Sequence, residues 1–415
     1  MNSSLQAEAR PSPMGQREFI GLMAVLQALQ ALAIDSMLPA LGVMSHDLGV
    51  SNPNDRQLVV GVFLLCSGMG SLFPGALADR FGRRPVVLIA AASYVVFNLI
   101  AALVQDFTVM LVLRGMAGLS SSGMIVVSTT IIRDRYAGDK MARIQSLVSM
   151  VFMVVPMIAP SLGQGVLLFA GWRWIFGIMA VLGTGVFIWT FVRLPETLHP
   201  EFRQPIAIRA IAGNMRLALS NRLALGYVIG MSLVHGALFG YINSSQQLVS
   251  EHFGAGAAFP LIFGAMAIAM AGANLANSRI VERFGARRVS HTALLCYIAL
   301  SATQLLFAAS GEETLWQFVP LMTLNLCMLG FLGSNFTSIA LQPFARIAGA
   351  AASAITFVRL VLGAIVGALI GQAYDGTALP LASCLLLSGI LALVLVLFSE
   401  RGRLFRRLHG QVPQA

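Results

Sequence analysis

Charge is what this sequence has least of. Only 11% of its 415 residues are Asp, Glu, Lys or Arg, and just 17 are acids. With 57% of residues hydrophobic, no soluble domain could hide so much apolar surface inside itself. Lipid must serve as solvent for most of the chain. Cysteine is scarce too. Cys66, Cys296, Cys327 and Cys384 fall inside apolar runs, without CxxC or His-Cys spacing, which argues against disulfides and metal sites. Nothing in the chain calls for a cofactor. The apolar runs offer one deeply placed acid and a mid-span His235, not the paired acids or His-rich spacing of a membrane-embedded hydrolase or transferase, so an enzyme is not expected. The net charge of +10 would point to nucleic acid in a soluble protein, but here the basic residues sit between apolar runs, where topology accounts for them.

What is present is a repeating alternation of apolar runs and short charged turns. Twelve runs reach the roughly 20 residues a spanning helix needs. They lie near 18–41, 57–78, 85–104, 107–132, 142–169, 172–194, 222–249, 257–280, 288–309, 314–341, 349–372 and 378–399. The longest connection, 195–221, divides them six plus six. The expected organisation is therefore a polar tail over 1–16, a six-helix bundle over 17–194, a central loop over 195–221, a second bundle over 222–399 and a basic tail over 400–415. The tail at 1–16 carries no cleavable signal, which leaves the first span to direct insertion. All of the 27 basic residues except Arg56, Arg114, Arg173 and Arg359 fall in segments on one side of such a topology. That bias predicts both termini in the cytoplasm.

The two halves share a charged turn. Aligning Gly75 with Ser278 sets Asp79 on Glu282, Arg80 on Arg283, Phe81 on Phe284, Gly82 on Gly285 and Arg84 on Arg287. An acid, an Arg, Phe-Gly and a second Arg recur between apolar runs, as in a chain whose halves follow one plan. A tight charged turn cannot lie in hydrocarbon, so both copies belong at one membrane face. Charges at helix ends there can pair across the halves in one conformation and separate in another, which makes these residues candidates for a conformational switch.

Six plus six spans with this repeated turn resemble the major facilitator superfamily, an all-α membrane fold of two six-helix bundles related by pseudo-two-fold symmetry. Within it, GALADRFGRRP (75–85), IIRDRYAGDKMAR (131–143), PMIAPSLG (156–163), GWRWIF (171–176) and LPETL (194–198) resemble the Bcr/CflA group of bacterial inner-membrane drug/proton antiporters. The second half is similar but less specific. The resemblance implies proton-coupled export of small-molecule drugs by alternating access, in a chain that needs no partner subunit to form its pathway.

Asp35 is the one acid placed well inside a run. Burying a carboxylate costs about 3 kcal/mol on insertion scales, a cost that falls on the charged form, so Asp35 reads as a proton carrier; the plain alternative is a structural Asp before Pro39. Arg114 is its natural counter-charge, since both lie roughly 10 Å below the same surface. Gly118, one turn beyond, permits close helix approach. The Arg114–Gly118 pattern resembles the superfamily's helix-4 motif for proton transfer; a simple buried ion pair is compatible with it. Pro156, Pro160 and Gly163 are expected to break span 5, and their spacing resembles an antiporter motif.

Candidate substrate contacts are Gln27, Met37, Met116, Met124, His235, Asn243, Gln246, Asn325 and Arg359. Gln27 lies on nearly the same helix face as Asp35. Some related exporters of lipophilic cations carry a second acid near there. The amide here favours neutral or zwitterionic drugs and one proton per cycle. Methionines suit a soft cavity, and the amides and His235 alternatively hold helices together. Arg359 departs from the amide usual in the resembled group. It binds substrate, balances Asp35 or pairs structurally, and the sequence leaves all three open. A proton-coupled importer of a small metabolite on the same fold is the rival reading. It would need more convergent polar groups than these runs supply.

Overall fold

The computed structural model describes residues 14–136, 138–199, 201, 203–204, 213, 215–216 and 220–405, with the side chains of 138–139, 142 and 345–350 left aside. Most of the expected tails and of the central loop lie outside these residues. Eleven helices among them are long and apolar enough to cross a membrane, or twelve if one bent pair counts as a span. The first half comprises α1 (Gln16–Asp35), a short α2 (Leu41–Asp47), α3 (Leu58–Gly70), α4 (Phe73–Phe81), α5 (Arg83–Ala101), α6 (Phe107–Arg135), α7 (Gly138–Ala170) and α8 (Arg173–Arg193). The second comprises α9 (Arg222–Gln246), α10 (Phe259–Phe284), α11 (Ala286–Ser310), α12 (Leu315–Leu341), α13 (Ala348–Gln372) and α14 (Leu379–Ser399).

Local chemistry sets where these helices begin. Asp106 accepts from the Val109 N–H at 2.8 Å and starts α6. Asn221 accepts from Leu223 and Ala224 and starts α9, and Thr314 with Gln317 forms a capping box on α12. Such caps satisfy N–H groups that a helix start leaves free. The two repeated turns are built alike: Gly82 and Gly285 take φ of 107° and 83°, a backbone region open to glycine.

Three expectations change in detail. The first run does not end as a straight helix: α1 stops at Asp35, and a 3-10 turn over Leu38–Ala40 leads into α2. The second run is two pieces, Pro53–Gly70 and Phe73–Phe81, bent by 48° at Ser71 and Leu72 just before Pro74. The third concerns Pro156 and Pro160, which do not break span 5; α7 runs helically through both. A proline frees backbone groups without ending a membrane helix when neighbouring helices hold it in place, and α7 is clamped between α1, α8 and α10.

The halves meet chiefly where α3 packs on α13 and α7 on α10. Small residues allow both approaches. A β-carbon on Gly68 would crowd the backbone of Leu360 and Val361, and one on Gly264 would crowd the Met157 carbonyl. Without a hydrophobic drive between helices in lipid, such close backbone packing is what holds them.

Candidate functional site

The carboxyl of Asp35 sits at the C-terminal end of α1 and the residue is only 5% exposed. Among the described residues it makes no ion pair. Arg114, expected opposite it, is 1% exposed and turns elsewhere in this conformation. Its Nε donates to the Val59 carbonyl at 3.1 Å and one Nη to the Ala33 carbonyl at 3.0 Å, while the guanidinium lies 4.4 Å from the Phe63 ring. The other Nη has no partner. Arg114 thus grips the last turn of α1 two residues before Asp35 without neutralising it. Close packing makes the grip possible, because a β-carbon on Gly118 would strike the Phe63 carbonyl.

Gln27 is buried, and its amide donates to Ser128 at 3.1 Å and Thr129 at 3.5 Å on α6. Met37 and Met124, expected to line a cavity, are packed into the hydrophobic core in this conformation, at 1% and 0% exposed. Met116 is 40% exposed and shares a stripe of α6 with Val109, Val112 and Leu119. These three methionines therefore do not gather at one surface.

In the second half the expected polar residues separate into two groups. Asn325 is spent on helix packing: its amide donates to Gln304 at 3.0 Å and accepts from Ser301 at 3.0 Å. The residues on α9 are different. Asn243 is 1% exposed with neither amide atom partnered, and Gln246 Oε1 and His235 Nδ1 lack partners too. A Cβ on Gly61 of α3 would sit 4.0 Å from the Asn243 amide, which puts Asn243 on the seam between the halves. Arg359 on α13 is half-buried, makes no ion pair among the described residues, and lies near enough to His235 for its charge to bear on the ring. Unpaired buried polar groups are costly, and at Asn243 and Gln246, which come close to Gly61 and Gly42 of the first half, another molecule's polar atoms can supply the partners.

Among the described residues, the bonds of the repeated turns run within their own halves. Arg83, a residue the alignment passes over, is 4% exposed and bridges Asp79 at 2.6 Å and Asp134 at 2.9 Å. Glu196 accepts from the Arg83 and Arg84 N–H groups at 2.9 and 3.2 Å, capping α5, and leaves no room for a β-carbon on Gly82. Arg84 itself is half-buried, donates to the Phe191 carbonyl and lies over the Phe191 ring. In the second copy Arg287 meets Glu400 at 2.7 Å, and Tyr227 donates to the same carboxylate. Arg80 and Arg283 lie over the rings of Phe81 and Phe284, and Glu282 is exposed. Asp134, Glu196 and Glu400 were absent from the expected set; only the i,i+4 spacing of Asp79 and Arg83 was there to be seen.

At the opposite face a polar cluster joins the halves. Arg56 donates to Glu251 at 2.7 Å, Gln57 to Gln247, and Gln247 to Asn54 at 3.1 Å. Asn54 also donates to the carbonyls of Gln372 and Tyr374 at 3.1 and 2.7 Å, and the Gln372 amide returns a bond to the Asn54 carbonyl at 3.0 Å. Among the described residues, these polar bonds fasten the seam at the end away from the repeated turns.

The sequence and the fold both have known counterparts. The chain is 28% identical to a bicyclomycin resistance protein homolog of Haemophilus influenzae, over 88% of this chain and 91% of that one. It is 28% identical to the multidrug resistance protein MdtL of Klebsiella pneumoniae, over 80% and 82%. In fold it is similar to a D-xylose-proton symporter, with a TM-score of 0.71 and 16% identity over 94% of this chain and 100% of that one. The human organic anion transporter MFSD10 gives 0.66 and 17% over 92% and 99%. A sequence model of the Major Facilitator Superfamily matches residues 23–368. Two packed six-helix halves, a multi-pass membrane composition and that match together make the chain a member of the Major Facilitator Superfamily, a transporter and not an enzyme.

Proposed function

We propose that this protein is a proton-coupled multidrug efflux antiporter of the bacterial inner membrane, with both termini cytoplasmic, working as a monomer on small neutral or zwitterionic drugs. The observation that carries the reading is Asp35: a carboxyl buried at the end of α1, without a cation partner among the described residues, two residues beyond the carbonyl that Arg114 holds while one Nη of that arginine stays unused. Relatives named for bicyclomycin and multidrug resistance supply the substrate class. The basic bias supports a cytoplasmic side for the repeated turns, and on that reading the conformation described is inward-facing.

In the proposed cycle Asp35 takes a proton from the outside, becomes neutral, and gives the proton up to the cytoplasm in the inward-facing state. The freed carboxylate draws on the unused Nη of Arg114, and drug then enters the seam against Asn243, Gln246, His235 and Arg359. Proton and drug thereby exclude one another, which is what turns an inward proton gradient into export. The neutral amide at Gln27 leaves no second acid for a dication, and one carboxyl carries one proton per turn.

The test uses everted vesicles with a respiration-driven pH gradient and a pH-sensitive dye. Addition of a neutral or zwitterionic drug releases protons in the wild type and not in Asp35→Asn. Silence across a drug panel at normal protein levels would replace this reading with the metabolite importer. Release that survives Asp35→Asn would remove Asp35 as sole carrier.

A further inference from the structure

A groove of about 630 Å³ opens on the second half, away from the seam, at the end that carries the repeated turns. Its walls include Ile280 and Phe284 of α10, Thr292 and Cys296 of α11, and Phe405 beyond α14. Arg288, in the first turn of α11, is the one charged side chain among its lining residues. α11 packs on α12 and α14, and more loosely on α10, so its outer side faces the bilayer. Ile280, Phe284 and Phe405 are 38%, 46% and 39% exposed there.

The chain after α14 is pinned in place to form one wall. Phe405 donates its N–H to His291 Nδ1 at 3.1 Å, and its carbonyl accepts from Arg288 Nε at 3.3 Å. It holds a φ of 63° while doing so, a backbone region that side chains other than glycine seldom occupy. Arg288 is exposed, its Nη groups are not used in this contact, and it makes no ion pair among the described residues. The start of α11 adds the positive end of a 25-residue helix at the same point.

We propose that this groove holds an anionic glycerophospholipid, with a tail along the apolar wall and its phosphate against Arg288. The volume lies in the range of sites that enclose a small apolar ligand. The depth is that of a headgroup, because the cation sits where α11 emerges at the face of the charged turns. Among the described residues no carboxylate lines the groove, so a zwitterionic headgroup finds no partner there for its amine, whereas a net negative headgroup is matched by the cation alone. The inference is independent of what the transporter carries.

Native mass spectrometry of the intact protein from micelles holding equal phosphatidylglycerol and phosphatidylcholine tests it. The wild type retains phosphatidylglycerol with about fivefold preference at its most tightly held position, the effect of roughly one arginine near a headgroup. Arg288→Gln brings the two lipids to parity. Thr292→Trp, at an exposed position inside the groove, lowers retention of both while the fold, read by its melting temperature, is kept. Equal retention of the two lipids by the wild type would overturn the proposal, and so would a preference unchanged in both variants.

Discussion

Gly163 lies against the carbonyl of Ser36 so closely that no β-carbon fits between them. The glycine belongs to α7 and the serine follows Asp35 directly, so the proline-containing helix and the buried acid share one contact. Position at Asp35 is therefore set by two neighbours: Arg114 holding the Ala33 carbonyl and Gly163 admitting the Ser36 turn.

Gly163→Ala forces α7 and the end of α1 apart, and overpacking of this kind costs about 1–3 kcal/mol. The variant melts lower than the wild type and loses drug-evoked proton release. Ser161→Ala, two residues earlier at an exposed position, leaves both unchanged. A Gly163→Ala protein with wild-type melting and transport would show that α1 and α7 are free to separate.

Arg83 and Arg84 separate in a direct comparison. Arg83→Ala leaves the carboxylates of Asp79 and Asp134 facing each other without their cation, and breaking a buried pair costs about 3–5 kcal/mol. Part of that is relieved because Asp79 is 43% exposed. Arg84→Ala removes a half-buried side chain that holds one carbonyl and one ring and no carboxylate, and costs about 1 kcal/mol. Thermal melting in detergent reads both.

Arg56 and Glu251 tie the halves at the face away from the turns. Spin labels at the exposed Asn52 and Thr377, one in each half, report their separation. Arg56→Ala shifts the distance distribution toward longer values, and Arg56→Glu does so further. Combining Arg56→Glu with Glu251→Arg restores the wild-type distribution. An unchanged distribution in the single variants would remove the ion pair from the fastening of that face.

Glu313, in the turn between α11 and α12, has both carboxyl oxygens buried without partners, and burial pushes its pKa up to about 7. A carboxyl raised in the fold contributes most below its unfolded value, and the contribution fades as pH rises through the folded one. The wild type and Glu313→Gln therefore melt alike at about pH 4. At pH 8 the wild type melts lower, and the difference opens as pH rises from about 4.5 to about 7. Parallel curves across that range would contradict the assignment.

The spans, their number and the kinship of the halves were legible because they rest on long apolar runs and a repeated charged turn, signals that survive without knowledge of contacts. Asp35 and Arg114 were legible as intramembrane charges. Their relationship was not: equal depth permits an ion pair, but the open carbonyls at Val59 and Ala33 captured the guanidinium instead. Pro156 and Pro160 misled for a related reason, since proline chemistry is local and the clamp around α7 is not. Alignment by letters matched Arg84 with Arg287, yet the buried cation of the first turn is Arg83, one residue earlier. Which of two adjacent arginines faces inward depends on Asp134, an acid brought by α6 from far along the chain.

The fastening opposite the turns is made mainly of carboxamides: Asn54, Gln57, Gln247 and Gln372 exchange bonds with one another and with backbone, around a single ion pair. Carboxamides neither gain nor lose protons in any habitable medium. Acid on that side therefore leaves those bonds standing and can reach only the half-exposed Glu251 carboxylate of the ion pair. The larger part of the seam is opened by trading neutral bonds for water, one for one, and not by titration.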